Sequence, residues 1–212
     1  MSGPLLLLAF VALVTAILVG VRSSRWWLGL TVTGAVTGLG AALTVLLGAT
    51  DWEWRSELSL GGELIHLRLD GVSELFLALL SVVGGTGGVY AREYWSEQHY
   101  PASAPRGRAW WSALVLCMGL VLVSSNGLHF LIGWELFTVC AYFLITLDRR
   151  RREVRAAGWL YLAASHAGTV CLFAFFSTLA ARTGSWELGP MREQAGLAPL
   201  FWLAFTGFGV KA

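Results

Sequence analysis

Long uncharged runs separated by short polar links set the pattern of this chain. Pro4–Val21 and Trp26–Leu47 carry no charge at all. Gly71–Tyr90, Ala109–Ser124, Gly127–Leu147, Ala156–Ala181 and a terminal run, Ala195–Ala212, follow. A hydrocarbon layer of about 30 Å takes about 20 apolar residues of helix. The runs therefore predict about seven transmembrane helices, over residues 4–21, 26–47, 71–90, 109–124, 127–147, 156–181 and 195–212, the last incomplete. No lysine or arginine precedes the first run, as a signal peptide would require, so it reads as a retained span. One segment keeps a different period. SELSLGGELIHLRL (Ser56–Leu69) alternates polar and apolar residues around Gly61 and Gly62. That pattern predicts a β-hairpin at about residues 56–69, outside the hydrocarbon, where an open sheet edge finds no partner. Gly38 and Gly40 suggest close helix contacts in the second run. Gly84, Gly85, Gly87 and Gly88 are expected to loosen the third. The fold class expected is an all-α integral membrane protein, a single truncated transmembrane domain over residues 1–212, with a short β-hairpin on the outer face.

Composition agrees with the pattern. Of 212 residues 56% are hydrophobic and 13% charged, where a soluble domain carries about 25% charged residues. The net charge of +2 gives no footprint for nucleic acid. Cys117, Cys140 and Cys171 sit singly in three runs, with no CxxC or Cys/His spacing, so no zinc or iron–sulfur site is expected. Lysine and arginine number ten in the first, third and fifth links and four in the others. The positive-inside rule then makes the odd links cytoplasmic and puts the N-terminus outside, in a multi-pass protein of the cell (inner) membrane. Trp26, Trp27, Trp52, Trp54, Trp95, Trp110, Trp111 and Trp186 lie at or beyond run ends, where an interfacial belt is expected.

Beyond Glu74 and His129, which sit near the starts of their runs, three ionisable residues fall inside apolar runs: Glu135, His166 and Lys211. Glu135 lies about 12 Å along its helix at 1.5 Å per residue, where a charge costs about 2.5–3.5 kcal/mol. One turn away, Leu131, Ile132 and Val139 offer nothing, and Thr138 offers a hydroxyl. A partner must come from another run, or the acid must hold a proton. Lys211 is the sole lysine among fifteen basic residues. Unlike arginine, a desolvated lysine gives up its proton. A buried acid and amine tend to neutrality apart and to charge together, and histidine passes protons near neutral pH. Rival readings are a protonated, hydrogen-bonded structural Glu135, a packing His166 and a Lys211 that snorkels to an interface. The arginine run 149–152 reads as a topology determinant, with a lipid-headgroup site as the lesser reading. Gly207 and Gly209 suggest a broken helix of the kind that lines ion sites. No GxSxG, P-loop, dinucleotide or haem motif occurs.

Four stretches in order, LRLDGVSELFLALLS (Leu67–Ser81), FLIGWELFTVCAYFLI (Phe130–Ile145), AGWLYLAASHAGT (Ala157–Thr169) and FTGFGVKA (Phe205–Ala212), resemble the proton-conducting, antiporter-like membrane subunits. These occur in respiratory complex I, in hydrogenase-4 and formate hydrogenlyase complexes and in multisubunit sodium/proton antiporters. The resemblance implies that Glu135 and Lys211 form the pair that gates proton movement, with His166 as a relay. The SHAGT context is similar to the hydrogenase-4 component B branch. It further implies no cofactor, no redox site of its own, and as partners other membrane subunits, the lipid bilayer and protons or sodium ions, without nucleic acid. Family members continue through a completed seventh helix and a second, inverted repeat. The chain therefore resembles their N-terminal part, and a sodium/proton antiporter subunit or a non-conducting scaffold are the alternative readings.

Overall fold

The computed structural model describes residues 2–48, 51–189 and 196–211. The end of the polar segment 182–194 and the first residue of the seventh run lie outside the described residues, as does Ala212. Two helices, α1 (Ser2–Gly20) and α2 (Ser24–Leu46), lead into a two-stranded antiparallel sheet of β1 (Trp52–Leu60) and β2 (Glu63–Leu69). Helices α3 (Gly71–Tyr94), α4 (Ala104–Val123), α5 (Gly127–Ile145), α6 (Arg152–Thr183) and α7 (Ala198–Gly209) complete it. The first six helices are each long and apolar enough to cross a membrane. The 12 residues of α7 reach only about 18 Å at the helical rise of 1.5 Å per residue. The protein is thus a multi-pass membrane protein with a small β element. Leu7, Leu18, Leu75, Leu79 and Val170 point outward from their helices, as a lipid-facing surface requires.

Helix starts are set by local chemistry. The Asp70 carboxylate accepts from the backbone N–H groups of Val72 and Ser73 and caps α3. Asn126 does the same for α5 through Leu128 and His129. Such caps satisfy donors that have no partner in the first turn. At the far end of α6, Gly184 takes the left-handed conformation at φ 73° that closes a helix.

The hairpin turns at Gly61 and Gly62, with φ 67° and 90°. Both central residues of this turn type need positive φ, which only glycine adopts freely. The sheet begins earlier than the alternation alone predicts, because Trp52 pairs with Leu69 and Trp54 with Leu67 across the strands. Charged Glu53 and Arg55 mask that pairing in the sequence. The helices α3, α4 and α6 likewise run past the apolar limits, into Arg92–Tyr94, Ala104–Arg108 and Arg152–Arg155. Helix propensity does not stop where hydrocarbon does, since arginine and glutamate are good helix formers.

Two expectations need correction. The glycines of α3 do not loosen it. The helix is continuous, and a Cβ on Gly85 would lie 2.8 Å from Ala35 of α2, so the missing side chain allows close packing. Trp27 is not interfacial either: it is fully buried and donates from Nε1 to Ser112 Oγ at 2.9 Å, joining α2 to α4. Trp111 similarly donates to the Gly84 carbonyl at 3.1 Å. An indole inside a bundle needs a partner for its N–H, and both find one. Helix α4 then contacts α1, α3 and α5, α5 contacts α6, and α6 contacts α7.

Candidate functional site

Helices α5, α6 and α7 bring Glu135, His166 and Lys211 to one place. Two close approaches make this possible. Gly158 of α6 packs on the Tyr142 ring of α5, where an added Cβ would sit 3.1 Å from Cε2. Gly207 of α7 meets Gly168 of α6, where an added Cβ would sit 3.0 Å from the Gly168 carbonyl oxygen and 2.6 Å from Leu172 Cγ. Small residues at both crossings let the backbones approach, the usual device between helices in lipid. The aromatic residues Phe130, Trp134 and Phe208 pack edge-on around this junction, with the Phe130–Phe208 and Trp134–Phe208 centroids 6.2 and 5.6 Å apart.

Glu135 Oε2 lies 2.9 Å from His166 Nδ1. Its second oxygen, Oε1, is buried and has no hydrogen-bond partner among the described residues. Lys211 lies just beyond the end of α7, and its backbone N–H donates to the Phe208 carbonyl at 3.0 Å, keeping the turn wound. The Lys211 amine does not touch Glu135. No nitrogen–oxygen approach within 4.0 Å joins them. Instead Nζ donates to Thr138 Oγ1 and lies over the Phe137 and Trp134 rings, at 3.9 and 5.0 Å from their centroids. Cation–π contacts of this kind stabilise a desolvated ammonium. Thr138 is fully buried, and its own hydroxyl proton goes to the Trp134 carbonyl at 2.8 Å, leaving lone pairs for the amine.

The three residues singled out from the sequence therefore converge, with Glu135 on His166 and Lys211 one helical turn along α5. Thr138 was not singled out. Its spacing of three from Glu135 was the available signal, since residues i and i+3 share a helix face.

A second polar cluster lies at the hairpin end and was also missed. His66, buried at 5% exposure, bridges Glu53 (Nε2 to Oε1, 2.9 Å) and Glu187 (Nδ1 to Oε2). Asn126, also fully buried, donates from Nδ2 to Glu63 at 3.1 Å. Backbone bonds run from Ser125 N–H to the His66 carbonyl, from Gly127 N–H to that of Trp186 and from Leu188 N–H to that of Ser125. The hairpin, the α4–α5 link and the α6–α7 link are thus tied together. The Arg55 guanidinium, and to a smaller extent His66, hold the Glu53 carboxyl below its ordinary 4.5.

No group of three or more metal-ligating residues occurs among the described residues. Cys117, Cys140 and Cys171 are all free thiols.

Comparison with known proteins bears on this arrangement. The family described as NADH:quinone oxidoreductase/Mrp antiporter, TM, matches residues 124–212, which include Glu135, His166 and Lys211. Hydrogenase-4 component B of Escherichia coli (strain K12) is 28% identical over 152 residues, 70% of this chain and 22% of that protein. A probable K(+)/H(+) antiporter component of Rhizobium meliloti (strain 1021) is 29% identical over 136 residues, 64% of this chain and 13% of that protein. The chain thus spans about a fifth of the length of the first and less of the second. Among solved structures, the membrane-bound sulfane sulfur reductase, an archaeal respiratory membrane complex, superposes with a TM-score of 0.73 at 20% identity, covering 100% of this chain and 34% of that one. The Mrp complex from Dietzia sp. DQ12-45-1b gives 0.71 at 19%, covering 97% and 23%. The chain is thus similar over α5 to α7 to the NADH:quinone oxidoreductase/Mrp antiporter family and, over about two thirds of its length, to hydrogenase-4 component B, and it shares its fold with the two solved membrane complexes.

Proposed function

We propose that this chain forms a proton-handling half-channel in a multisubunit, redox-driven membrane complex of the hydrogenase-4 type, and that Glu135, His166 and Lys211 carry the proton step. The observation behind the proposal is the half-partnered carboxyl of Glu135: one oxygen 2.9 Å from His166 Nδ1, the other buried without a hydrogen-bond partner among the described residues, and an amine one turn away.

The chemistry follows from that geometry. With Lys211 on Thr138, the Glu135 carboxylate is balanced by a protonated His166. Positions one turn apart on a helix are separated by about 5–6 Å, so a modest swing carries the ammonium from Thr138 Oγ1 to Glu135 Oε1. Two cations then share one carboxylate in a medium of low dielectric, where like charges repel strongly. The imidazolium gives up its proton, and the chain regains one when the amine withdraws. Each cycle moves one proton through His166 and leaves all three groups as they began. No cofactor takes part, and electron transfer falls to partner subunits. In this reading the end of the bundle that carries the arginine-rich odd links faces the cytoplasm and the hairpin lies on the outer side, which the positive-inside rule supports.

The test is Glu135→Gln in a reconstituted complex that contains this chain, with proton uptake followed by a pH-sensitive dye. Loss of coupled uptake with assembly intact is expected. Uptake at the wild-type rate would refute the role of Glu135. Replacing protons by sodium or potassium as the driven ion in the same vesicles separates this reading from an antiporter.

A further inference from the structure

At the end of the bundle opposite the hairpin, the first turns of α4 and the last turn of α5 enclose an open cleft of about 200 Å³. Its lining is Arg106, Trp110, Phe143, Thr146, Leu147 and Arg149. The Trp110 and Phe143 rings stack face to face, with centroids 4.2 Å apart, and form an aromatic floor. The Arg149 guanidinium carbon sits 5.0 Å above the Phe143 centroid. Both guanidiniums are solvent-facing. Neither has a carboxylate within 4.0 Å among the described residues.

The contrast with Arg108 is informative. Two residues along the same helix, it is buried and spends its donors on the Gly20 carbonyl at 2.7 Å and on Glu97 at 3.0 Å. Arginines with a structural duty here are thus matched by acceptors, whereas Arg106 and Arg149 are left with theirs open. The link that carries Arg149 is also held in place. Arg155 donates to the carbonyls of Arg149 and Arg150, at 2.7 and 3.1 Å. Arg150, Arg151 and Arg152 stand beside it and add to the positive potential. Thr146 contributes bulk only, since its hydroxyl proton goes to the Tyr142 carbonyl at 2.8 Å. Asp148 adjoins Arg149 in sequence and makes no ion pair among the described residues.

Two guanidiniums without carboxylate partners lining one cleft, that of Arg149 over an aromatic floor, at the edge of a lipid-facing bundle, match one ligand chemistry. Arginine forks bind phosphate oxygens in pairs, and an indole beside them suits the headgroup level of a bilayer. We propose that this cleft binds a phosphate group through Arg106 and Arg149, supplied either by the headgroup of an anionic phospholipid or by free phosphate. The cleft is separate from the Glu135 site, and the proposal does not depend on proton transfer.

Native mass spectrometry of the full chain tests it, with phosphatidylglycerol, phosphatidylcholine and inorganic phosphate as probes. Selective retention of phosphatidylglycerol over phosphatidylcholine is expected. The Arg106→Gln/Arg149→Gln variant is expected to bind it roughly 30-fold more weakly, at the usual contribution of a basic residue near an anionic surface. Arg22→Gln/Arg25→Gln removes the same charge at the same end of the bundle and is expected to leave binding within about threefold, because interfacial charges away from a site act only through the screened field. Displacement of the lipid by millimolar inorganic phosphate assigns the site to free phosphate; resistance to it assigns the site to the lipid. Equal losses in the two arginine pairs, or equal retention of both lipids, overturn the proposal. Should the first double variant fail to fold, Arg149→Gln alone is read, with a loss of about fivefold expected.

Discussion

Replacing Thr138 by Val is the sharpest perturbation of the Glu135 site, because it removes one acceptor and changes little else. Valine keeps the branched shape of threonine, and the Phe137 and Trp134 rings that face the Lys211 amine at 3.9 and 5.0 Å stay in place. What is lost is the hydrogen bond from Nζ to Oγ1. A bond to a charged group contributes about 1.5–3 kcal/mol. At about 1.4 kcal/mol per tenfold, the balance of the amine between its present seat and the free Glu135 Oε1 shifts towards Glu135 by roughly 10- to 150-fold. Lys211 is the single lysine of the chain, so ¹⁵N-lysine labelling gives one ammonium signal. Solid-state NMR of the chain in lipid then measures the distance from that nitrogen to threonine Cβ and to carboxylate carbons. A short contact with threonine is expected in the wild type, and a contact of about 4 Å or less with a glutamate carboxylate in Thr138→Val, the range of an ion pair. An amine with no carboxylate contact in the variant, and none with threonine in the wild type, would remove the switching scheme while leaving the fold untouched.

Other outcomes follow from the same geometry. Gly207→Leu places side-chain atoms where Leu172 and the Gly168 carbonyl already lie, at an overpacking cost of about 1–3 kcal/mol; the same NMR distance from Lys211 to threonine is expected to lengthen, whereas Gly209→Ala, with open space around it, leaves it unchanged. Asp70→Ala removes the α3 cap and is expected to cost about 0.5–2 kcal/mol, read from the thermal melt followed by circular dichroism. The backbone N–H of Ser73, ahead of Arg68, holds the Asp70 carboxyl below its ordinary 3.8; its stabilisation is therefore complete above the unfolded value and is lost as pH falls through the lower folded one, so the wild type melts earlier below about pH 4 and the variant lacks that component. His66→Ala leaves Glu53 and Glu187 facing each other without their bridge; faster hydrogen exchange at Gly127 and Leu188, whose amides bond across these links, is expected, with helices α1 and α2 unaffected.

The membrane-spanning architecture was legible because apolar run length is a strong signal, and the hairpin because Gly61 and Gly62 stand between two alternating segments. Helix ends were less so. Arg92–Tyr94 and Arg152–Arg155 are helical yet polar, and hydropathy has no means of registering them. At the site, the sequence yields the unusual residues, Glu135, His166 and Lys211, since charges in apolar runs are conspicuous. It does not yield the partner that is chemically ordinary. Thr138 resembles any helical threonine that bonds back to its own helix, and Thr86 of α3 does only that, to the Val82 carbonyl. The spacing of three between Thr138 and Glu135 marks a shared helix face, but the amine that Thr138 holds belongs to a residue 73 positions later. The cluster around His66 escaped for the same reason: its contacts with Glu187 span 121 positions.

Asn126 belongs to two structures at once. Its oxygen holds the first amides of α5, and its amide nitrogen holds Glu63 at the tip of the hairpin. The glutamate of the same helix lies nine residues further along a rigid rod. A neighbouring protein that grips the hairpin would therefore have a handle on that rod: a small rotation at the surface would arrive at the carboxylate as a change of aim, delivered mechanically and without any ligand entering the bundle.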